Sequence, residues 1–359
     1  MFSASRTRAA LTVMAVAAAT LLASCETPPP APPVVKAPPA PPPITLSSSL
    51  VEKASAFRGY MQRAGAIGST FENGDQIQSS LKVGVAYEPK QFQAGATAYA
   101  AVLALQDPTF VASVRAFAAD PTQRQQVIAQ LVADPAYAVG FKGSDTAAGR
   151  IIDTLGADGL KVYQAGKAVK QAAYDVQRSA WSKGFVTDRD GRLAYAKTMS
   201  TTPALADTAD VAALQQASLS TTAAAPADAA SAPRAAAPPY TPLVIRGMAV
   251  AALAALGAAG DENLATINAV MVEPNSAMCL NMAKLNLYQC LAVAKPHYED
   301  VFCLGQHVMI DTGACVIKAS GAAMPYEPPP PPKPTPVVTK KKPAVAKKGG
   351  AAASAKKKS

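Results

Sequence analysis

Four cysteines and both histidines of the chain lie in one short stretch near its carboxyl end. The cysteines span 37 residues and are Cys279, Cys290, Cys303 and Cys315. Cysteine sulfur forms disulfides in an oxidising compartment or, together with imidazole, ligates a metal ion. The even count favours disulfides, and the sequence contains no C-x-x-C pair for redox chemistry and no zinc-finger spacing. We therefore expect two disulfides, no bound metal and no cofactor.

The spacing of the cysteines favours one of the three possible connectivities. Cys279 and Cys290 are 11 residues apart, about three helical turns, so they share one helix face. Asn275 or Ser276 can cap that helix, Pro296 ends it, and a second helical segment follows. A hairpin of two antiparallel helices would pair the cysteines in nested fashion, Cys290 with Cys303 and Cys279 with Cys315. The alternative is a metal site drawn from the group His297, Cys303, His307, Asp311 and Cys315.

The fifth cysteine closes an apolar segment at the amino terminus. Arg6 and Arg8 precede the apolar residues 9–22, and the segment ends in Leu22-Ala23-Ser24-Cys25. A basic start, a short apolar run and small residues at the end are typical of a secretory signal, and the run is shorter than a membrane span. The ending resembles the lipobox of bacterial lipoproteins. The resemblance implies cleavage after residue 24 and acylation of Cys25, which would anchor the protein to a membrane.

The same resemblance implies a location in the cell envelope. Glu26 follows the cysteine, in the position where an aspartate favours retention in the inner membrane of many bacteria. We therefore expect the outer membrane, with the protein facing the periplasm. That compartment is oxidising, so it agrees with the disulfides expected for the other four cysteines.

The net charge of +10 is concentrated in one tail. Residues 328–359 hold nine lysines and no acidic residue, and the chain without this tail and the amino-terminal arginines is close to neutral. Proline, glycine and like-charge repulsion predict a disordered tail that binds polyanions by counterion release. Peptidoglycan and lipopolysaccharide are the expected polyanions, and nucleic acid is not expected. The proposed polyanion-binding residues are Lys340, Lys341, Lys342, Lys347, Lys348, Lys356, Lys357 and Lys358.

The composition predicts an all-α protein. Aromatic residues make up only 6% of the chain, which disfavours β architectures. We expect a helical bundle domain and a smaller disulfide-stapled helical domain, joined and flanked by disordered Pro-rich or Lys-rich segments. The predicted segments are a signal peptide (1–24), a lipidated Pro-rich linker (25–45), the bundle domain (46–200), an Ala/Thr/Pro linker (201–241), the four-cysteine domain (242–322) and the tail (323–359).

Several patterns place individual helices. Leu50, Ala54, Phe57 and Met61 have helical spacing, and the pairs Asp107-Pro108, Asp120-Pro121 and Asp134-Pro135 combine an N-cap with a first-turn proline. These pairs are expected to start short helices of a bundle, a helical repeat being the alternative. The apolar residues 248–259 are too few for a membrane span and predict a buried helix.

The clearest helix carries a heptad pattern. From residue 144 onwards, two series of positions each repeat every seven residues. One series carries branched or apolar residues and the other carries mostly glycine or alanine, so a partner helix can pack closely against this one. The partner is expected within the same chain, in an earlier helix, and a second subunit is the alternative. The two series are Ala148, Leu155, Val162, Val169 and Val176, and Ile152, Gly159, Gly166, Ala173 and Ala180.

The chain shows no catalytic motif. It contains no G-x-S-x-G, no H-E-x-x-H and no phosphate-binding loop, and Asp188-Arg189-Asp190-Gly191 lacks the later ligands of a calcium loop. We therefore expect no catalytic residues and no enzyme. The favoured hypothesis is an envelope lipoprotein, held by lipid at one end and contacting an anionic polymer at the other. The alternative is an accessory subunit of an envelope complex, bound through the heptad helix or the disulfide domain.

Overall fold

The computed structural model describes residues 40–219 and 234–327. Over these residues the chain forms thirteen α-helices and no β-strand, so the all-α prediction is confirmed. The helices are α1 (Ser48–Gly65), α2 (Gly74–Gly84), α3 (Pro89–Leu105), α4 (Pro108–Arg115), α5 (Pro121–Ala133), α6 (Ser144–Asp175), α7 (Arg189–Met199), α8 (Thr208–Leu219), α9 (Pro242–Ala255), α10 (Leu264–Met271), α11 (Pro274–Val293), α12 (His297–Cys303) and α13 (Asp311–Ser320).

The predicted Asp-Pro pairs start helices as expected. Asp107 accepts a hydrogen bond from the Phe110 amide at 2.9 Å, and Asp120 caps α5 in the same way. Asp134 caps a short 3-10 segment rather than an α-helix. A cap followed by proline also starts α3, α9 and α11, where Glu88, Thr241 and Glu273 provide the acceptor. Six helical segments therefore begin by one local rule, in which a side chain satisfies amides that the first turn leaves free.

The core joins the two blocks that the sequence suggested as separate domains. In α3 and α9 nearly every residue is buried, and the two helices pack together, with α1 on the other side of α3. A Cβ at Gly247 of α9 would meet Ala100 of α3. Helices that are apolar all round must be enclosed. The packing therefore shows no domain boundary between residues 46–200 and 242–322, and the two blocks share one core.

Part of the predicted linker is also structured. Residues 208–219 form α8, which buries Leu214 and packs on α1. Arg58 of α1 forms an ion pair with Asp210 at 2.6 Å, and Ser55 exchanges hydrogen bonds with the backbone of Asp207. The prediction of a linker is wrong for these residues. One large apolar side chain and local caps are enough to stabilise a helix here, because α1 provides a surface on which it packs.

The helix α6 has the predicted start and the predicted buried face. Its heptad positions are buried as far as Ala173, apart from the half-buried Ile152, and the helix ends at Asp175. Val176 and Ala180 therefore lie beyond it. Its partner is in the same chain, as expected. However, the glycine positions face a later element, the continuous helix formed by α12, a π-helical segment (Leu304–Ile310) and α13, while α1 and α3 also contact α6.

Glycines on both helices make this contact close. A Cβ at Gly159 would lie 2.9 Å from the Ile317 amide nitrogen, and a Cβ at Gly166 would lie 2.8 Å from that of Ile310. In the reverse direction, a Cβ at Gly313 would lie 2.8 Å from the Gly159 carbonyl oxygen. The two helices run antiparallel, and the backbones touch where side chains are missing. The loss of helix propensity at these glycines, about 1 kcal/mol each, is offset by this packing.

The continuous helix His297–Ser320 is long and apolar enough to cross a membrane, but 72% of its apolar window is buried inside the fold. It packs against α6, α11 and α2 along its length. A helix with this burial and these packing partners is a central helix of the core. The apolar helix predicted over residues 248–259 is likewise buried, within α9 and the turn that follows it.

We expect Gly166→Ala to lower the free energy of unfolding by about 1–3 kcal/mol, because the added methyl group overpacks a backbone contact. The matched control is Gly59→Ala in α1, where the Cβ would meet only the flexible end of Arg63. That control should be neutral or stabilising by up to about 1 kcal/mol. Urea unfolding measures both. Equal stability of the two variants would contradict the close contact.

Candidate functional site

The four cysteines form two nested disulfides between α11 and the helix that follows it. Cys279 pairs with Cys315 and Cys290 with Cys303, with Cα–Cα distances of 5.8 and 5.7 Å. These distances are in the usual range for disulfides. The pairing is the one that the antiparallel hairpin predicts. Both ends of α11 are therefore bonded covalently to the helix His297–Ser320.

The π-helical segment explains how unequal spacings fit one hairpin. Cys279 and Cys290 are 11 residues apart, whereas Cys303 and Cys315 are 12 apart. At 3.6 residues per turn, 11 residues bring a side chain back to about the same face, and 12 leave it about 120° away. Leu304–Ile310 lies between Cys303 and Cys315, and each π turn takes in one residue more than an α turn. This extra residue returns both cysteines to the face that meets α11.

The disulfides use both cysteines of the alternative metal site, Cys303 and Cys315. Cys303 and Cys315 are oxidised, and His307 forms a contact of 2.9 Å with Asp311 one turn later. Burial raises the pKa of Asp311, but hydrogen bonds from His307 and Gln306 outweigh it and hold that pKa below its usual value. His297 lies elsewhere, against Gly74. The described residues contain no cluster of three or more metal-ligating side chains.

A cleft of about 350 Å³ with both polar and apolar lining lies between α2, α7 and the start of α12. Its lining includes Asp75, Lys82, Asp188, Tyr195 and His297, so charges of both signs are present. The Asp188 carboxylate accepts a hydrogen bond from the Gly191 amide at 2.9 Å. The Asp-Arg-Asp-Gly sequence at residues 188–191 is therefore the capped start of α7. Nδ1 of His297 is buried without a hydrogen-bond partner, and the cleft holds no hydrogen-bonded pair of nucleophile and base.

Beneath the cleft, a buried ion pair joins Arg192 of α7 to Asp300 of α12. The two side chains are 5% and 0% exposed. Arg192 also donates to the carbonyl oxygens of Leu291 and Ala294 at 2.7 and 2.8 Å, and Gln78 donates to Asp300 at 3.0 Å. Burial raises the pKa of Asp300, although Arg192 acts in the opposite direction. Because the pair and its hydrogen bonds connect α2, α7, α11 and α12, its role is to fix these four helices.

A second buried charge-bearing group, Lys284, lies on the inner side of α11. Lys284 is 3% exposed. Its Nζ donates a hydrogen bond to the Val85 carbonyl oxygen at 2.6 Å and lies 3.7 Å from the centre of the Tyr87 ring. Burial lowers the pKa of Lys284 to about 7, and nearby Glu88 raises it by a smaller amount. The amine is enclosed by protein, so it acts as a structural donor to the end of α2.

The outer side of α11 is exposed and uncharged. Lys284 is the only charged residue of the helix, and it points inward. The outer face carries Met278, Met282, Leu285 and Val293, which are 64%, 48%, 45% and 73% exposed. An exposed helix face usually carries charged residues, so the absence of charge on this face is unusual. The expectations from the sequence did not include this face, although a helical projection of residues 274–293 shows the missing charge.

The other predicted site residues lie outside the described residues. They are the lipidation site Cys25 and the lysines Lys340, Lys341, Lys342, Lys347, Lys348, Lys356, Lys357 and Lys358. The structure therefore brings together the four cysteines and leaves the two predicted attachment sites as predictions.

No protein-family model, no curated protein and no solved structure matches this chain. The assignment of a function therefore rests on the sequence and on the geometry described above.

We expect the stability of the wild type to rise with pH relative to a Lys284→Met variant. An unfolded lysine titrates near pH 10.4, whereas the folded pKa is about 7. Between these values the unfolded chain binds a proton that the folded chain does not, so the free energy of unfolding increases with pH. Below the folded pKa both states are protonated, and the difference between the two proteins should be constant.

Urea unfolding at about pH 6 to about pH 9 measures this difference. The range stops below the titration of unfolded tyrosine near pH 10, because burial raises the pKa of Tyr60 and Tyr87 as well. The exposed Lys318→Met is the matched control and should run parallel to the wild type. A difference between wild type and Lys284→Met that stays constant over the whole range would contradict the prediction.

Proposed function

We propose that this protein is a non-enzymatic lipoprotein of the cell envelope, anchored by lipid at Cys25. Its cationic tail contacts peptidoglycan or another anionic envelope polymer, such as lipopolysaccharide, so the protein connects two layers of the envelope. The observation that carries the proposal is the agreement between the lipobox-like ending and the two disulfides of the body. Disulfides form and persist in oxidising compartments such as the periplasm.

The location of charge supports the role of the tail. The body is close to neutral once the tail is set aside, and each of its described ion pairs joins two residues of the body. The nine lysines that follow residue 327 therefore carry the net positive charge of the chain. Flexible cationic segments bind polyanions with strong salt dependence and little sequence selectivity. The outer membrane, with the protein facing the periplasm, is the location proposed from Glu26.

The second candidate is an accessory or assembly subunit of an envelope protein complex. Binding through the heptad seam of α6 is not available to it, because Leu155, Gly159, Val162 and Gly166 are buried within the chain. Binding through the four-cysteine region is favoured by one specific observation, the exposed and uncharged outer face of α11.

We expect Cys25→Ala to abolish incorporation of radiolabelled palmitate and to leave the signal segment uncleaved, because the acylated sulfur is missing. Mass spectrometry of the mature protein should find residue 25 at the amino terminus of the wild type, with its acyl chains. The double variant Cys290→Ala/Cys303→Ala is the control, since it removes thiols that lie in a disulfide and should label normally. Palmitate labelling of Cys25→Ala would overturn the lipid anchor.

Deletion of residues 328–359 should reduce co-sedimentation with purified peptidoglycan at low salt by at least about tenfold, and raising the salt should produce the same loss in the intact protein. Two full-length controls separate charge from length. Replacing the eight tail lysines named above with arginine should preserve binding, and replacing them with glutamine should abolish it. A truncated protein that sediments as well as the intact one would exclude the tail as the tether.

A further inference from the structure

The cleft between α2, α7 and the start of α12 carries charged groups of both signs that the fold leaves unpaired. Asp75, Lys82 and Asp188 are exposed in its lining. Within the described part of the chain, the side chains of Asp75 and Lys82 form no ion pair and no hydrogen bond. Asp188 uses one carboxylate oxygen to accept the Gly191 amide and leaves the other free. These groups are therefore available to a ligand.

The middle of the cleft is fixed by Asp300 beneath it. Gln78 of α2 and Arg192 of α7 both contact this carboxylate, so the two positions lie at the same level on neighbouring helices. The buried ion pair holds the cleft in one shape, as small-molecule sites require. Apolar side chains form part of the lining: Leu81, Val85, Val186, Ala196 and Leu291.

The starts of α2 and α7 lie at the same end of the cleft. The ring of His297 fills the space beside Gly74, the first residue of α2. The same ring lies 3.7 Å from the Cβ position of Gly184, and the His297 amide donates to the Gly184 carbonyl oxygen at 3.1 Å. Gly184 comes four residues before Asp188, which caps α7. Both helices therefore run in the same direction, from this end past the level of Asp300.

This arrangement separates the charges along the cleft. Asp75 and Asp188 lie at the end where the helices start, whereas Lys82 follows Gln78 by one turn and lies at the other end. Asp75 and Lys82 are seven residues apart. They project from the same side of α2, two turns and about 10 Å from each other. The cleft is therefore complementary to a ligand with a cationic group at one end and an anionic group at the other.

We propose that the cleft binds a short peptide of about three residues with free termini. Its ammonium group would lie at Asp75 and Asp188, and its carboxylate at Lys82. Three residues span about 10 Å at 3.3–3.6 Å per residue, whereas the two charges of a free amino acid are too close together to reach both ends. The hydroxyl groups of Thr187 and Tyr195 line the cleft and can hydrogen-bond with peptide groups. Small apolar side chains of the peptide would pack on the apolar lining.

The test is isothermal titration calorimetry of the intact protein, purified in detergent, with trialanine. At about pH 6.5 the amine of the peptide is protonated and its carboxylate is ionised. We expect a dissociation constant on the order of 0.1–1 mM. N-acetyl-trialanine lacks the positive end and trialanine amide lacks the negative end. Each should bind about three- to tenfold more weakly than trialanine.

Two variants assign the ends of the peptide. Lys82→Met should lose the preference for trialanine over its amide and keep the preference over the acetylated peptide. Asp75→Asn should keep the first preference and weaken the second, because Asp188 stays in place. Lys318→Met and Glu52→Gln lie outside the cleft and are the matched controls, which should keep both preferences. All four substituted residues are exposed, so we expect unchanged thermal unfolding.

Three results would overturn the proposal. The first is the absence of trialanine binding at about 10 mM. The second is a Lys82→Met variant that still discriminates between trialanine and its amide. The third is equal binding of trialanine and both blocked peptides, which would assign the affinity to the apolar lining alone. The proposal adds a ligand site to the body and does not depend on the lipid anchor or the tail, so its failure would leave the proposed function standing.

Discussion

Four glycines determine how the two longest helices of this protein meet. Gly159 and Gly166 of α6 lie against the backbone around Gly313 and Gly305 of the helix His297–Ser320. Close-packed interiors do not absorb an extra methyl group without displacement, so this contact fixes the position of the carboxyl-terminal helix. Both disulfides bond α11 to the same helix. The backbone contact with α6 therefore positions α12, α13 and, through them, α11 with its exposed face.

The buried polar groups reinforce this arrangement. The Arg192–Asp300 pair joins α7 to α12 and reaches the carbonyl groups at the end of α11, and Lys284 joins α11 to the end of α2. Arg192, Asp300 and Lys284 each form hydrogen bonds, as burial requires, whereas Nε of Arg192 has no partner. Such groups contribute less to net stability than apolar packing does, but they allow one arrangement of the helix ends. The result is one packed body in which α11 keeps an exposed, uncharged outer face.

A rigid body between two attachment segments gives the proposed function a simple physical form. Lipid at Cys25 and lysines after residue 327 would act at the ends of the chain, and the disulfide-bonded helices would keep the body folded in an oxidising envelope.

Features that depend on neighbouring residues could be predicted from the sequence, whereas the packing partners of distant helices could not. The Asp-Pro starts and the buried face of α6 as far as Ala173 follow from spacing and capping, which depend on neighbouring residues alone. The nested pairing of the cysteines follows from their order along the chain once two consecutive helices form an antiparallel hairpin. The shared core of α3 and α9, the packing of α8 on α1 and the choice of the carboxyl-terminal helix as partner of the glycine face were decided by tertiary structure. A series of small residues on a helix face indicates only that another helix can pack closely against it. Which helix does so depends on the fit of surfaces distant in sequence, and only the folded chain brings them together.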